Sequence, residues 1–76
     1  MLDQFMEVYE RHLTENMKAN PKDYRYGFEQ IPKMVQCMKI AIQNKAYLKE
    51  SPTIKRTCKE LNIPHTYTAI NQFCGV

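Results

Sequence analysis

The side chains with the clearest chemical character lie in two neighbouring segments near the end of the chain. The segment Ser51–Leu61, SPTIKRTCKEL, contains three cations, Lys55, Arg56 and Lys59. The sequence that follows, NIPHTYTAINQF, has no Asp, Glu, Lys or Arg but many short polar side chains. Cations of this kind neutralise phosphates, and amide or hydroxyl groups form hydrogen bonds with base edges. The two segments together therefore favour a nucleic-acid partner.

Eight side chains in these segments are candidates for such a contact. We expect the cations to neutralise phosphates and the polar side chains to reach base edges or phosphate oxygens. The candidates are Lys55, Arg56 and Lys59, followed by His65, Thr66, Thr68, Asn71 and Gln72. Asparagine and glutamine can bind adenine through two hydrogen bonds, and threonine can contact phosphate or a thymine methyl group. The alternative is a Lys-rich helix beside a helix with a polar face, both serving only to pack the fold.

The net charge of +3 is distributed unevenly along the chain. Residues 1–32 contain four Lys or Arg against six Asp or Glu, a net charge of −2. Residues 33–60 contain seven basic residues against two acids, a net charge of +5, and residues 61–76 contain neither kind. Because clustered positive charge attracts polyanions, this asymmetry also indicates a partner that carries phosphates.

Three cysteines and two histidines are the side chains that could hold a metal ion or act as nucleophiles. They are Cys37, Cys58, Cys74, His12 and His65, and none forms a CxxC or HxxxH pair. Zinc sites generally need such close pairs, and a Cys–His nucleophile needs a pocket and a third orienting group. We therefore expect no metal, no cofactor and no enzymatic activity.

The cysteine count and the hydropathy of the chain bear on its compartment. Three cysteines are an odd number, whereas a secreted domain framed by disulfides normally has an even set. The N-terminal sequence MLDQFMEVYERH mixes acids with apolar residues, unlike a signal peptide. No apolar run approaches the roughly 20 residues that span a bilayer. We expect a cytoplasmic protein with no membrane contact.

Hydrophobic periodicity predicts an all-α fold of about four helices in a single domain, residues 1–76. The first helix is predicted over Leu2–Met17 and ends near Asn20–Pro21, since a residue before proline is pushed out of the helical region. Its inward stripe comprises Leu2, Phe5, Met6, Tyr9, Leu13 and Met17.

The second helix is predicted to begin late because of two prolines and a glycine. Pro21–Gly27 is expected to be a connector, and the helix to begin near Phe28 or Ile31, which leaves Pro32 in the first turn, where proline is tolerated. The inward stripe comprises Ile31, Met34, Val35, Met38, Ala41 and Ile42. Tyr24, Tyr26 and Tyr47 are expected to cover the small core; alternatively they anchor a protein interface or stack on bases.

The last two helices have clear boundary signals. Ser51 is the expected N-cap of the third helix, with Pro52 at its first position, and Asn62 suits the left-handed conformation at its end. The fourth helix is predicted from His65 to about Cys74. The predicted inward residues are Ile54, Cys58 and Leu61 on the third helix and Tyr67, Ile70 and Phe73 or Cys74 on the fourth.

The run IKRTCKELNI closely resembles the first helix and turn of bacterial and phage helix-turn-helix proteins. Cys58 stands where those proteins have a small residue, Asn62 where glycine is usual, and Ile63 where an apolar residue follows the turn. Five positions after Ile63 the family usually has a β-branched apolar residue, and here that place holds Thr68. Either the turn is one residue tighter, or residues 51–74 form a helical hairpin of another kind. The resemblance implies that this unit binds duplex DNA.

As a whole, the chain resembles small single-domain proteins encoded by bacteriophages and other mobile elements. Some of these proteins bind DNA, with possible regulatory roles, and others bind and disable a host protein. The resemblance implies duplex DNA or a host protein as partner, and the host cytoplasm as location. A homodimer is also expected as a possibility, with the first helix as its surface, because one such module contacts few base pairs.

Overall fold

The computed structural model describes residues 1–19 and 29–76 completely and residues 21–28 by their backbone. It contains four helices: α1 (Leu2–Ala19), α2 (Pro21–Gln43), α3 (Pro52–Leu61) and α4 (Tyr67–Cys74). Every regular element in the described part of the chain is an α-helix, which confirms the all-α prediction. None of these helices is long and apolar enough to cross a membrane.

Helix α1 follows its predicted stripe and lies at the centre of the fold. Phe5, Met6, Tyr9 and Leu13 are buried, and the two ends of the stripe, Leu2 and Met17, pack against the same cluster as partly buried residues. The helix contacts α2, α3 and α4, so that its apolar face organises the whole core. It extends two residues beyond the predicted end, to Ala19.

The prediction for the beginning of α2 was wrong. The helix begins at Pro21 instead of near Phe28 or Ile31, so Pro21–Gly27 belongs to the helix and is not a connector. Pro21 occupies the first position, where a missing N–H removes no helical bond. Pro32 therefore lies in the interior of the helix, where it removes one backbone hydrogen bond. The packing of α2 against α1 offsets the loss of this hydrogen bond.

The inward stripe of α2 is only partly as predicted. Ile31 and Ile42 are buried, and Val35, Met38 and Ala41 are half-buried against the core. Met34 was predicted to face inward and is 36% exposed instead. It lies at the edge of the stripe that contacts α1, and that contact covers only one side of the helix.

The caps of α3 and α4 explain where these helices begin and end. Pro52 follows Ser51 at the N-terminus of α3, and Asn62 ends the helix with φ 57° and ψ 41°, as predicted. Helix α4 begins at Tyr67 instead of His65, because the Thr66 hydroxyl accepts a hydrogen bond from Ala69 N–H at 3.1 Å and caps it there.

All four helices contribute to one hydrophobic cluster. Phe5, Ile42, Ile54 and Ile70 have no exposed surface, and each comes from a different helix. Tyr47, in the connection between α2 and α3, closes one side of the cluster, as expected for a core-covering tyrosine. The side chains of Tyr24 and Tyr26, for which the same was predicted, lie outside the described residues.

Replacing Asn62 by alanine is expected to lower the free energy of unfolding by about 1 kcal/mol, since alanine lacks the short polar side chain that tolerates the left-handed region. Urea denaturation followed by circular dichroism measures the change. Asn62→Gly is the matched control and should unfold at a midpoint close to that of the parent chain. Equal losses in both variants would show that the amide side chain matters more than the conformation.

Candidate nucleic-acid interface

The outer face of α3 is a ridge of three cations. Lys55, Arg56 and Lys59 are all exposed, whereas Ile54 and Cys58 on the opposite side are buried. Lys55 and Lys59 are one turn apart and share a face of the helix. The sequence therefore predicted this part of the site correctly: helical periodicity alone places these cations in solvent.

The only acid of α3, Glu60, is paired with residues of α1. Glu60 forms an ion pair with Arg11 of α1 and a 3.0 Å contact with Nε2 of His12, also on α1. These contacts hold the carboxylate on the side of α3 that faces α1. Glu60 stands four residues after Arg56 on the same face of α3, so its pairing with α1 is what offsets its negative charge beside the three cations. Nothing in the local sequence indicated this arrangement.

Arg56 is oriented by a short polar chain that links α3 to the end of α1. Its Nη1 donates a hydrogen bond to Oδ1 of Asn16 at 2.5 Å, and Nδ2 of Asn16 donates to Oγ1 of Thr53 at 3.3 Å. Thr53 is buried, so this chain starts in the core and ends at an exposed guanidinium. Arg56 still has further N–H donors available for a phosphate.

His65 connects the ridge to the α2–α3 connection. It is half-buried, not fully outward as predicted, because its Nε2 donates to the backbone carbonyl of Lys49. Lys49 forms a 2.7 Å ion pair with Glu50, and this partner lowers the pKa of the Glu50 carboxyl, with smaller contributions from His65 and Lys55. His65 is thereby held beside Lys49, near the end of the connection that leads into α3.

Of the four polar residues predicted to face outward on α4 and at its N-cap, three are exposed and one, Asn71, is half-buried. Thr68 and Gln72 are exposed, four residues apart on the same face. Thr66 is exposed as well, but its hydroxyl serves as the N-cap. Asn71 was predicted to point outward and is half-buried, since the Tyr47 hydroxyl donates to its Oδ1 at 2.6 Å. Asn71 therefore holds the α2–α3 connection against α4.

Tyr47 explains why Asn71 is drawn inward. The ring of Tyr47 is buried in the core, and burial raises the pKa of its phenol to about 12, with Cys74 and Tyr67 contributing. A buried hydroxyl needs a hydrogen-bond partner, and the Asn71 amide supplies it. Two residues far apart in the sequence are joined only by the folding of the connection over α4.

Tyr67 was predicted to face the core and is 40% exposed instead. Its ring packs against Tyr47 with centroids 5.2 Å apart and an interplanar angle of 68°. The Tyr67 hydroxyl accepts a hydrogen bond from Lys49 N–H at 3.3 Å, and Nζ of Lys49 lies 5.6 Å from the ring centroid. The ring is fixed at the surface beside the polar face of α4.

The helix pair α3–α4 departs from the helix-turn-helix pattern in its second half. Thr68, five positions after Ile63, is exposed, and the buried residue of this helix that follows is Ile70, two positions later. The connection from Asn62 to Thr66 delays the beginning of α4 to Tyr67, two residues after the predicted His65. Both helices pack more extensively against α1 than against each other.

A shallow apolar depression lies beside Gln72 of α4, between this helix and the preceding connection. It has a volume of about 340 Å³ and is lined by Ile63, Pro64, Ala69, Gln72 and Phe73. Among the residues that the structure describes, no three His, Cys, Asp or Glu side chains come together as a metal site would require. Burial raises the pKa of the Cys74 thiol to about 11 and also raises that of Cys58, which makes both thiols poor nucleophiles.

No family model, curated protein or solved structure matches this chain at a significant level. The interpretation of the site therefore rests on the geometry of these side chains.

The contact of Tyr47 with Asn71 predicts that two neighbouring polar residues of α4 differ in role. Replacing Asn71 by alanine should lower the free energy of unfolding by about 1–3 kcal/mol, because the buried Tyr47 hydroxyl loses its acceptor. Replacing the exposed Gln72 by alanine should change it by less than about 0.5 kcal/mol. Thermal unfolding measures both, and equal effects would contradict the assigned roles.

Proposed function

We propose that this protein is a small non-enzymatic nucleic-acid-binding protein that binds duplex DNA through α3 and the exposed face of α4. The observation that supports the proposal most directly is the outer face of α3. Its three cations are exposed, and its only acid, Glu60, is held against α1 by Arg11 and His12.

Within this proposal the residues have different tasks. Lys55, Arg56 and Lys59 contact phosphates and supply most of the affinity. Thr68 and Gln72 are the side chains free to meet base edges or further phosphates. The helix-turn-helix resemblance supports the same use of α3 and α4, although the register of α4 requires a docking geometry of its own.

Fluorescence anisotropy with a labelled random duplex tests the proposal. Three phosphate contacts predict a slope of about −2.7 for log K against log salt, so affinity should fall about 40-fold between 50 and 200 mM salt. The chain as it stands is the sample, and a neutral polymer of similar length labelled in the same way is the control. Absence of binding at the lower salt concentration would contradict the proposal.

A second candidate function is binding to a host protein, which the protein would inhibit or adapt. The observation that favours it is the exposure of three apolar side chains outside α3: Met34 (36% exposed) and Ile40 (47%) on α2, and Leu48 (73%) in the connection that precedes α3. Apolar contacts are insensitive to salt, so binding through them would survive high ionic strength. A homodimer formed through α2 would also persist at high ionic strength. Sedimentation at increasing protein concentration separates the two possibilities.

The proposed dimer surface on α1 receives less support than α2. Helix α1 already contacts the other three helices, and Val8, the apolar residue off its core stripe, is half-buried. Its neighbours around a shallow depression, Glu7 and Arg11, are charged. If the protein dimerises, α2, which exposes Met34 and Ile40, is the better candidate surface, since association is driven mainly by apolar burial.

A further inference from the structure

The connection between α2 and α3 leads into the helix of the cationic ridge and carries a large apolar side chain, Leu48, that is mostly exposed to solvent. Leu48 is 73% exposed, and the next residue, Lys49, reaches across to the ring of Tyr67. Tyr67 is 40% exposed at the beginning of α4. Leu48, Lys49 and Tyr67 form a surface that we call the aromatic corner.

We propose that the aromatic corner binds an unpaired base of the nucleic acid, with the base stacked on the ring of Tyr67. The inference rests on the proposed nucleic-acid binding and refines it by naming the class of ligand: DNA in which a base is unpaired next to a duplex or strand held by α3. Proteins that bind unpaired bases combine aromatic rings with nearby cations, since every base has a face that can stack.

The ring of Tyr67 is fixed before any ligand arrives. Its hydroxyl is held by Lys49 N–H at 3.3 Å, and its ring rests at 68° against Tyr47, which is itself buried and tied to Asn71. A free exposed tyrosine would lose side-chain entropy when a base stacks on it. The Tyr67 side chain has already lost this entropy when the protein folds, so a smaller entropic cost opposes stacking of a base.

Charge at the corner also suits a nucleotide. Lys49 and Lys55 both lie near Glu50, which the direct pair with Lys49 partly neutralises. Glu50 is 65% exposed, and an exposed ion pair of this kind is weak. Nζ of Lys49 can therefore leave Glu50 and the ring for the phosphate of the stacked nucleotide. The same movement uncovers the ring.

The corner lies next to the N-terminus of α3. Lys49 comes three residues before Pro52, the first residue of α3, and the His65 ring donates to the Lys49 carbonyl. We expect a strand whose phosphates contact Lys55 and Lys59 to continue toward Tyr67. A base in a continuous duplex stays in its stack, whereas an unpaired base can turn onto the ring.

The test compares two labelled DNA duplexes of equal charge, each with one unpaired nucleotide at the end of a strand: an abasic nucleotide in the first and a thymine in the second. Anisotropy should show at least about fivefold tighter binding of the second, from the stacking of one base. Tyr67→Leu should remove the preference, and Tyr67→Phe should keep it because the ring remains. Circular dichroism checks that both variants are folded.

Tyrosine fluorescence gives a second readout, because the chain has no tryptophan to mask it. Stacking of the thymine should quench the emission of Tyr67 in the parent chain. Tyr67→Phe lacks that emission, so the thymine should cause no such quenching in this variant. Equal affinity of the parent for both DNA molecules, with no quenching, would overturn the stacking proposal alone. Failure of both DNA molecules to bind would overturn the proposed function as well.

Discussion

Replacing Lys55, Arg56 and Lys59 together by alanine is expected to abolish measurable binding of duplex DNA at physiological salt. These three cations form the exposed ridge of α3, and each phosphate contact contributes about 0.9 to the slope of log K against log salt. The slope should therefore approach zero in the triple variant. All three side chains are exposed, so the free energy of unfolding should change little. Anisotropy titrations at several salt concentrations measure the slope.

The appropriate control removes the same number of positive charges from a different helix. Lys55→Ala with Lys59→Ala on α3 is compared with Lys33→Ala with Lys39→Ala on α2, where Lys33 is exposed and Lys39 faces Asp3 at 3.4 Å. Each pair removes two positive charges. We expect the first pair to weaken binding far more than the second. Similar losses in the two pairs would mean that net charge, and not the ridge, attracts the DNA.

Replacing Phe5 by alanine is expected to cause the largest loss of stability of any single change discussed here. Phe5 has no exposed surface, and its ring lies 6.4 Å from that of Phe73, between α1 and α4. Removal of a buried phenylalanine side chain typically costs about 3–5 kcal/mol. A chain of 76 residues has a typical free energy of unfolding of about 4–11 kcal/mol, so the loss is a large share of the total.

Urea denaturation followed at 222 nm, the usual helical band of circular dichroism, measures this loss, with Val8→Ala as the matched control one turn along α1. Val8 is half-buried, and its truncation should cost less than about 1.5 kcal/mol. Phe5→Leu keeps most of the buried volume and should fall between the two. If Phe5→Ala and Val8→Ala had the same midpoint, Phe5 would not be a central core residue.

Helices α1 and α3 show what local sequence can predict. The stripe from Phe5 to Leu13 has the helical period without interruption, and Ser51-Pro52 and Asn62 mark the ends of α3 by local conformational preference. These signals depend on residues a few positions apart. The same is true of the exposed ridge on α3, because periodicity places Lys55 and Lys59 opposite Ile54 and Cys58.

Helix α2 shows where local preference is overruled. Pro32 predicted a helix boundary nearby, yet the helix continues through it from Pro21 to Gln43. The free energy lost with one helical hydrogen bond is smaller than the free energy gained when a long helix packs against α1. That packing cannot be predicted from the residues around Pro32. The exposed position of Met34 has the same origin, since α1 covers only part of the apolar side of α2.

The number of helices, most of the core stripes and the exposure of the three cations on α3 follow from the amino-acid sequence alone, because they depend on the helical period and on local conformational preferences. The residue at which α2 begins does not. Only the tertiary structure decided which polar groups are free for a partner. It places Glu60 against Arg11 and His12, ties Asn71 to Tyr47, and holds the ring of Tyr67 at the surface. Each of these contacts joins residues at least 18 positions apart, so it depends on how the helices pack, and no local pattern encodes it.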